Sequence, residues 1–319
     1  MAAPGGKHPR GGWWTSDLLL PTEHTAGILG RVPDEVKVGV LHFLPPDERF
    51  DGAAALGTDP LHHSVLAGAT VDLTNQRILG SIGEGSLAHV KVVKLDASQL
   101  TDISLINRLR VGHVPALVVQ HGPSDRPPRI SNLDLGGVRS LTVYARTPDA
   151  ACELARGVIL LAPNVRSVRL RSRAVPRGQS ERLSVCSNWF WTSIRKSDVE
   201  RVSVECKGVV FDHARVGTLA KVKHLTFQGL GGIGAVIGLV PEASTPALET
   251  VTIRDGMLTF PQAVEVATAL RPRARLILDD TAVGEDDEGA SDAQRLEFDT
   301  MVSQGAIELR DTFVDEDGP

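Results

Sequence analysis

The feature that most constrains this chain is a short apolar pattern that returns about every 25 residues, because a repeat at such a spacing dictates architecture before any local reading begins. The pattern apolar-x-x-apolar-x-apolar stands at Val90 to Leu95, Val138 to Val143, Val165 to Leu170, Val199 to Val204, Val222 to Phe227 and Leu248 to Ile253. Weaker copies lie at Val114 to Val119, Leu183 to Val185, Leu276 to Leu278 and Ile307 to Leu309. Each core alternates with period two and is rich in Val, Ile, Leu and Thr, which predicts a short strand. Between cores, Thr147-Pro148-Asp149 reads as a helix start ahead of Ala151, Cys152, Leu154, Val158 and Leu161, with Pro163 as its stop. Pro261 to Leu270 predicts a second helix. The fold class is therefore α/β.

Strand, turn and helix at this period resemble a leucine-rich repeat solenoid over roughly Val71 to Leu309. That resemblance implies a curved parallel sheet with helices outside it. The family's Asn or Cys is replaced here by Ser98, Arg146, Arg173, Lys207, Leu230 and Gly256. A Rossmann-like sheet is the structural rival, since it too alternates strands and helices.

Ahead of the repeats, Val32-Pro33-Asp34-Glu35 opens an amphipathic segment carrying Val36, Val40, Leu41 and Leu44 on one face, and Pro45-Pro46 ends it. Asp47-Glu48 then opens a second helix with Phe50, Ala53, Ala54 and Leu56. Two such helices cannot bury their apolar faces alone. At these residues the chain resembles an F-box, most closely the divergent F-box-like proteins in which leucine-rich repeats follow directly. The resemblance implies docking of Val32, Pro33, Glu35, Val36, Val40, Leu41, Leu44 and Pro45 onto a Skp-type adaptor, and through it a cullin. The organisation expected is a leader over 1–30, an F-box-like helical module over 31–70, a repeat array over 71–311 with an acidic loop at 284–292, and an acidic tail over 312–319.

The formal net charge of −5 hides two opposed regions, for Asp279 to Pro319 alone carries a net −12 and the remainder +7. Glu285 to Glu288 and Asp315 to Asp317 repel themselves into solvated loops. Arg166, Arg169, Arg171, Arg173, Arg177 and Arg182 make a local basic patch with Glu181 as its one acid. Strand alternation sends Tyr144, Arg169, Arg171, Arg182, Arg201, His224, Gln228 and Arg254 away from the core onto one face. Guanidinium groups on such a face suit an acidic or phosphorylated protein client. Trp189 and Trp191, in what reads as a loop, are further candidate contacts.

Several function classes are disfavoured. The segment Gly229-Leu-Gly231-Gly-Ile-Gly234 spells a dinucleotide-binding fingerprint, with Asp255 as the acid beyond it, but Pro241 and Pro246 interrupt the helix that would follow. No cofactor is expected. Zinc-ligand spacing, a Walker loop and a nucleophile elbow are all missing from the sequence, so no enzyme is argued for. The basic patch lacks the interleaved aromatics of nucleic-acid surfaces. No apolar run reaches the roughly 20 residues that cross a bilayer. Three cysteines, Cys152, Cys186 and Cys206, fall at spacings that give no disulfide framework, which reads as an intracellular, reducing location. The function expected is that of a substrate receptor of a cullin-based ubiquitin ligase. Its alternatives are a repeat scaffold without a ligase link and, behind that, an NAD-binding oxidoreductase.

Overall fold

A computed structural model describes residues 32–41, 43–44, 52, 70–74, 87, 90–122, 127–172, 188–206, 217–228, 245–284 and 291–314. The chain divides into two compact units, Met1–Ala69 and Thr70–Pro319.

In the first unit the acids after Pro33 begin helix α1, Asp34–Leu41. The Pro33 carbonyl accepts from the amides of Val36 and Lys37, and Phe43 and Leu44 donate back to Val40 and Leu41 to close the last turn. Lys37 and Leu41 are buried, whereas Val36, Val40 and Phe43 are exposed. Gly52, itself helical, lies so close to Leu41 and Leu44 that a Cβ there would overlap both. The other residues of the expected second helix, and the Trp13-Trp14 pair, lie outside the described residues.

The second unit is built on a ten-stranded parallel sheet. Its strands are β1 (Thr70–Asp72), β2 (Val92–Asp96), β3 (Ala116–Gln120), β4 (Ser140–Ala145), β5 (Ser167–Ser172), β6 (Arg201–Glu205), β7 (His224–Gln228) and β8 (Thr250–Arg254), then β10 (Arg275–Asp279) and β12 (Ile307–Arg310). They lie side by side in chain order, each paired with the strand before and after it. The register is continuous: Val71, Val93, Leu117, Leu141, Val168, Val202, Leu225, Val251, Leu276 and Ile307 form one apolar row across all ten strands. Every member of that row is buried. A one-residue slip would turn the whole row to solvent, which fixes the pairing.

A repeated turn sets each strand's entry. The carbonyls of Leu87, Val111, Leu135, Ala162, Leu219 and Thr245 accept from the amide three residues on, in Val90, Val114, Val138, Val165, Val222 and Leu248. Just beyond, one carbonyl takes two amides of the next repeat, as Arg139 does from Arg166 and Ser167, and Glu200 from Lys223 and His224. Consecutive backbones also touch at Gly137, whose amide donates to the Gly112 carbonyl at 2.7 Å. A Cβ at Gly137 would meet that oxygen, so the close approach requires glycine there.

Helices cover the face that carries the apolar row. After the short α2 (Ile103–Arg108), α3 spans Pro148–Leu161 with Thr147 as its cap, as its sequence predicts. It buries Ala151, Cys152, Leu154, Ala155 and Val158 against β4 and β5. Helix α4 is Asn188–Lys196, α5 is Phe260–Leu270 and α6 is Asp292–Ser303. Capping boxes open the last two, Thr259 with Gln262 and Ser291 with Gln294.

Some expectations are corrected. Leu183 to Val185 lies outside the described residues, and β5 pairs directly with β6. Trp189, Phe190 and Trp191 belong to α4 and not to a loop. Cys152 is disulfide-bonded and Cys206 is a free, buried thiol, so the cysteine pattern no longer argues for a reducing location. The structure also adds a small parallel sheet in the order β13-β11-β9, formed by Phe313–Val314, Ala282–Gly284 and Met257–Thr259. Each of its strands follows a strand of the large sheet through a left-handed aspartate: Asp255, Asp280 and Asp311, at φ 47°, 49° and 47°. Among the described residues no helix is long and apolar enough to cross a membrane.

Candidate functional site

The face of the large sheet opposite the helices is polar. Alternation within each strand places Ser140, Thr142 and Tyr144 of β4 beside Ser167, Arg169 and Arg171 of β5, and these beside Arg201, Ser203 and Glu205 of β6. His224, Thr226 and Gln228 of β7 and Thr250, Thr252 and Arg254 of β8 continue the same face.

Its centre is a cluster around one buried acid. The side chain of Glu205 is 3% exposed. Its Oε1 accepts from Arg169 Nε in a short ion pair, and its Oε2 accepts from Arg171 Nε at 2.5 Å. Ser203 Oγ adds a third donor to Oε1 at 3.0 Å. Arg171 Nη1 donates to the Tyr144 hydroxyl at 2.8 Å, and its guanidinium lies 5.3 Å from the centre of the tyrosine ring, within cation–π range. Burial on its own pushes the Glu205 carboxyl up; the hydrogen bonds and charges of Arg169 and Arg171 more than reverse this and hold it below the usual carboxylate range. Glu205 is thus an anion under two cations whose side chains remain 37% and 36% exposed.

The remaining candidates spread over the molecule. Arg254 is engaged by Asp279 of β10 through Nε at 2.7 Å and Nη2 at 2.5 Å. His224 Nδ1 lies 2.9 Å from Thr250 Oγ1, Gln228 donates to Asp255 at 3.2 Å, and Arg201 is exposed. Arg182 lies outside the described residues. The basic side chains expected on this face are thus mostly held in ion pairs, Arg169 and Arg171 by Glu205, Arg254 by Asp279 and likewise Lys94 by Asp72 at 2.7 Å.

The tryptophans do not join this cluster. Trp189, 61% exposed, lies on α4 with the Arg156 guanidinium of α3 5.0 Å from its ring, in the helical layer across the sheet from Tyr144. Trp191 is 1% exposed and packs edge-on against Phe190 at 5.0 Å, so it is a core side chain and not a surface contact. In the first unit the expected adaptor-binding set also divides. Val36 and Val40 are exposed, Pro33 is exposed, Val32 and Leu44 are half-buried, and Leu41 is buried, which removes it from direct docking. The Glu35 side chain and Pro45 lie outside the described residues.

Glu205, Asp279 and Arg156 are the residues that sequence reading passed over. Glu205 follows Ser203 by two in the same strand, and Asp279 follows Ile277 by two, so the alternation that marked Arg171 and Arg254 marks them as well. Among the described residues no group of His, Cys, Asp and Glu could hold a metal ion. The Cys206 thiol is pushed up to about 11, chiefly by burial and also by the Glu205 charge, against the opposing hydrogen bonds of Ser172. Such a thiol is a poor nucleophile at neutral pH. What the cluster offers chemically is oriented, charge-assisted hydrogen bonding. No protein-family model matches the chain, and no curated protein does.

Proposed function

We propose that the chain is a non-catalytic substrate receptor of a cullin-based ubiquitin ligase. In this reading the helices of the first unit dock a Skp-type adaptor, and the second unit is a leucine-rich repeat solenoid whose polar sheet face binds an acidic or phosphorylated client. The observation that carries it is the exposed stripe of Val36, Val40 and Phe43 on and just after α1, the helix opened by the F-box-like Val32-Pro33-Asp34-Glu35. Val36 and Val40, four residues apart, lie on one face of the helix, and exposed apolar side chains grouped in this way support an interaction site there. The solenoid reading is supported by the order of the sheet, which follows the chain from β1 to β12, whereas a doubly wound Rossmann-like sheet reverses its order at a switch point. An intracellular location follows from the proposed partners.

Co-purification with a Skp-type adaptor tests the proposal. Wild type recovers adaptor, and a Val36→Asp, Val40→Asp variant with unchanged melting recovers at least about tenfold less, since two buried charges each cost over a kcal/mol in such an interface. Equal recovery defeats the ligase reading and leaves the second one, a repeat scaffold without a ligase link, which the polar sheet face supports by itself. A rise in melting temperature on adding NAD would favour the oxidoreductase instead.

A further inference from the structure

We infer that Arg169 and Arg171 form a receptor for a single carboxylate of a bound protein or peptide, seated on the guanidinium edges that Glu205 leaves free. This deepens the reading of the sheet face as the client surface and rests on it. Arg169 engages Glu205 through Nε, and its two Nη amino groups have no partner among the described residues. Arg171 spends Nε on Glu205 and Nη1 on Tyr144, which leaves Nη2. The end of a guanidinium bearing two amino groups matches the two oxygens of a carboxylate. Both side chains are more than one third exposed, so a ligand reaches them.

The anchoring is what makes this a built site. Glu205, almost wholly buried, fixes two long and otherwise mobile side chains from below, and the Tyr144 ring and hydroxyl fix one of them from the side. Ordering two arginines would otherwise subtract from binding, and here it is done before the ligand arrives. The charge of the site selects its ligand. Two guanidiniums and one carboxylate leave one net positive charge, which a monoanion neutralises. A phosphate dianion would bring excess negative charge up to Glu205, where like charges repel. The acid of an Asp or Glu side chain and that of a chain end share this chemistry.

Tyr144 is the chain's single tyrosine and is bonded to Arg171, so ring-13C-tyrosine labelling of the full-length chain yields one reporter at the site. The probes are N-acetylglutamate N-methylamide, which offers a side-chain carboxylate, N-acetylglycine, which offers a chain end, N-acetylglutamine N-methylamide and N-acetyl-O-phosphoserine N-methylamide. Saturable shifts of the tyrosine signal are expected with one or both carboxylates, the stronger naming the source, and none with the glutamine analogue. Arg169→Gln is expected to weaken binding about tenfold, the loss of one charge-assisted bidentate contact. Arg169→Lys, which keeps the charge without the fork, is expected to weaken it severalfold and serves alone if Arg169→Gln melts early. Equal shifts with the glutamine analogue, phosphoserine binding as tight as glutamate, or unaltered affinity in Arg169→Lys would each overturn the inference. No shift with either carboxylate overturns it too while leaving adaptor recovery to be judged separately; a shift without adaptor recovery sinks the ligase reading alone.

Discussion

Arg169 stands directly opposite Ser203 in the β5–β6 register, yet its Nε bonds to Glu205, two residues further along β6. Arg171, the true neighbour of Glu205, takes the other carboxylate oxygen. One acid thus serves two positions of the adjoining strand: Arg169 leans toward the C-terminal end of the sheet to reach it, while Arg171 bonds straight across to Glu205 on one side and Tyr144 on the other.

Replacing that acid removes the counter-charge and keeps the shape. Glu205→Gln is expected to lower stability at pH 7 by about 1 to 3 kcal/mol, the cost of hydrogen bonds to charged groups losing their ionic partner. The pH dependence has a definite sign. The folded carboxyl titrates below its ordinary value of 4.5, so its contribution is complete above that value and is lost as pH falls through the lower, folded one. Urea unfolding of wild type and variant should therefore diverge at neutral pH and converge in acid; a gap that widened in acid would contradict the ion-pair account.

The left-handed aspartates lead to a second expectation. Asp255, Asp280 and Asp311 are in register, and each turns the chain from the large sheet into the small one. Asp280→Gly relieves a conformation that costs L-residues roughly 1 kcal/mol, and melting should be unchanged or slightly raised, whereas Asp280→Val should destabilise by about 1 to 2 kcal/mol. Buried Thr281 lies next to it, with Oγ1 at 3.0 Å from the carbonyls of both Ile253 and Asp279. Thr281→Val deprives them of their shared donor and should cost about 1 kcal/mol, read from the same denaturation curves.

Much of this was legible before any coordinates, for a physical reason. Period-two alternation is a local property, so the apolar row and the polar face both follow from strands read one at a time, and the cap at Thr147 is equally local. What was missed is not local. That Glu205 neutralises Arg169 and Arg171 depends on which strand lies beside β5, and the irregular stretch before α4 concealed that β6 does. The small sheet was illegible for the opposite reason: its strands are two or three residues long, too short for periodicity, although Arg254-Asp255-Gly256, Asp279-Asp280-Thr281 and Arg310-Asp311-Thr312 repeat a common turn. Burial likewise separated Trp189 from Trp191, because a helix turns residues two apart to different sides.

That separation is measurable. Trp191→Ala, which empties a fully buried site beside Phe190, should cost about 3 to 5 kcal/mol. Trp189→Ala loses an exposed ring and one stacked arginine, and should cost at most about 1 kcal/mol. Thermal melts of the two variants decide the matter; comparable losses would mean that the Arg156–Trp189 contact is part of the core.

Cysteine chemistry gives the last expectation. Cys152 is disulfide-bonded, and Cys206, the free thiol, is buried with its ionisation pushed up to about 11. The thiolate is the reacting species, and burial denies the reagent access as well, so at pH 8 the native protein should take up almost no iodoacetamide. Unfolding exposes Cys206 and restores an ordinary thiol near pKa 8.5. Mass spectrometry after alkylation should then find one modified cysteine per chain when the protein is unfolded without reductant, and three, the full complement of the sequence, when it is unfolded with reductant. Three alkylated cysteines without reductant would show that Cys152 is a thiol in solution and would restore the argument for a reducing compartment. Rapid labelling of native protein at a single position would instead place Cys206 in reach of solvent, contrary to its packing at the end of β6.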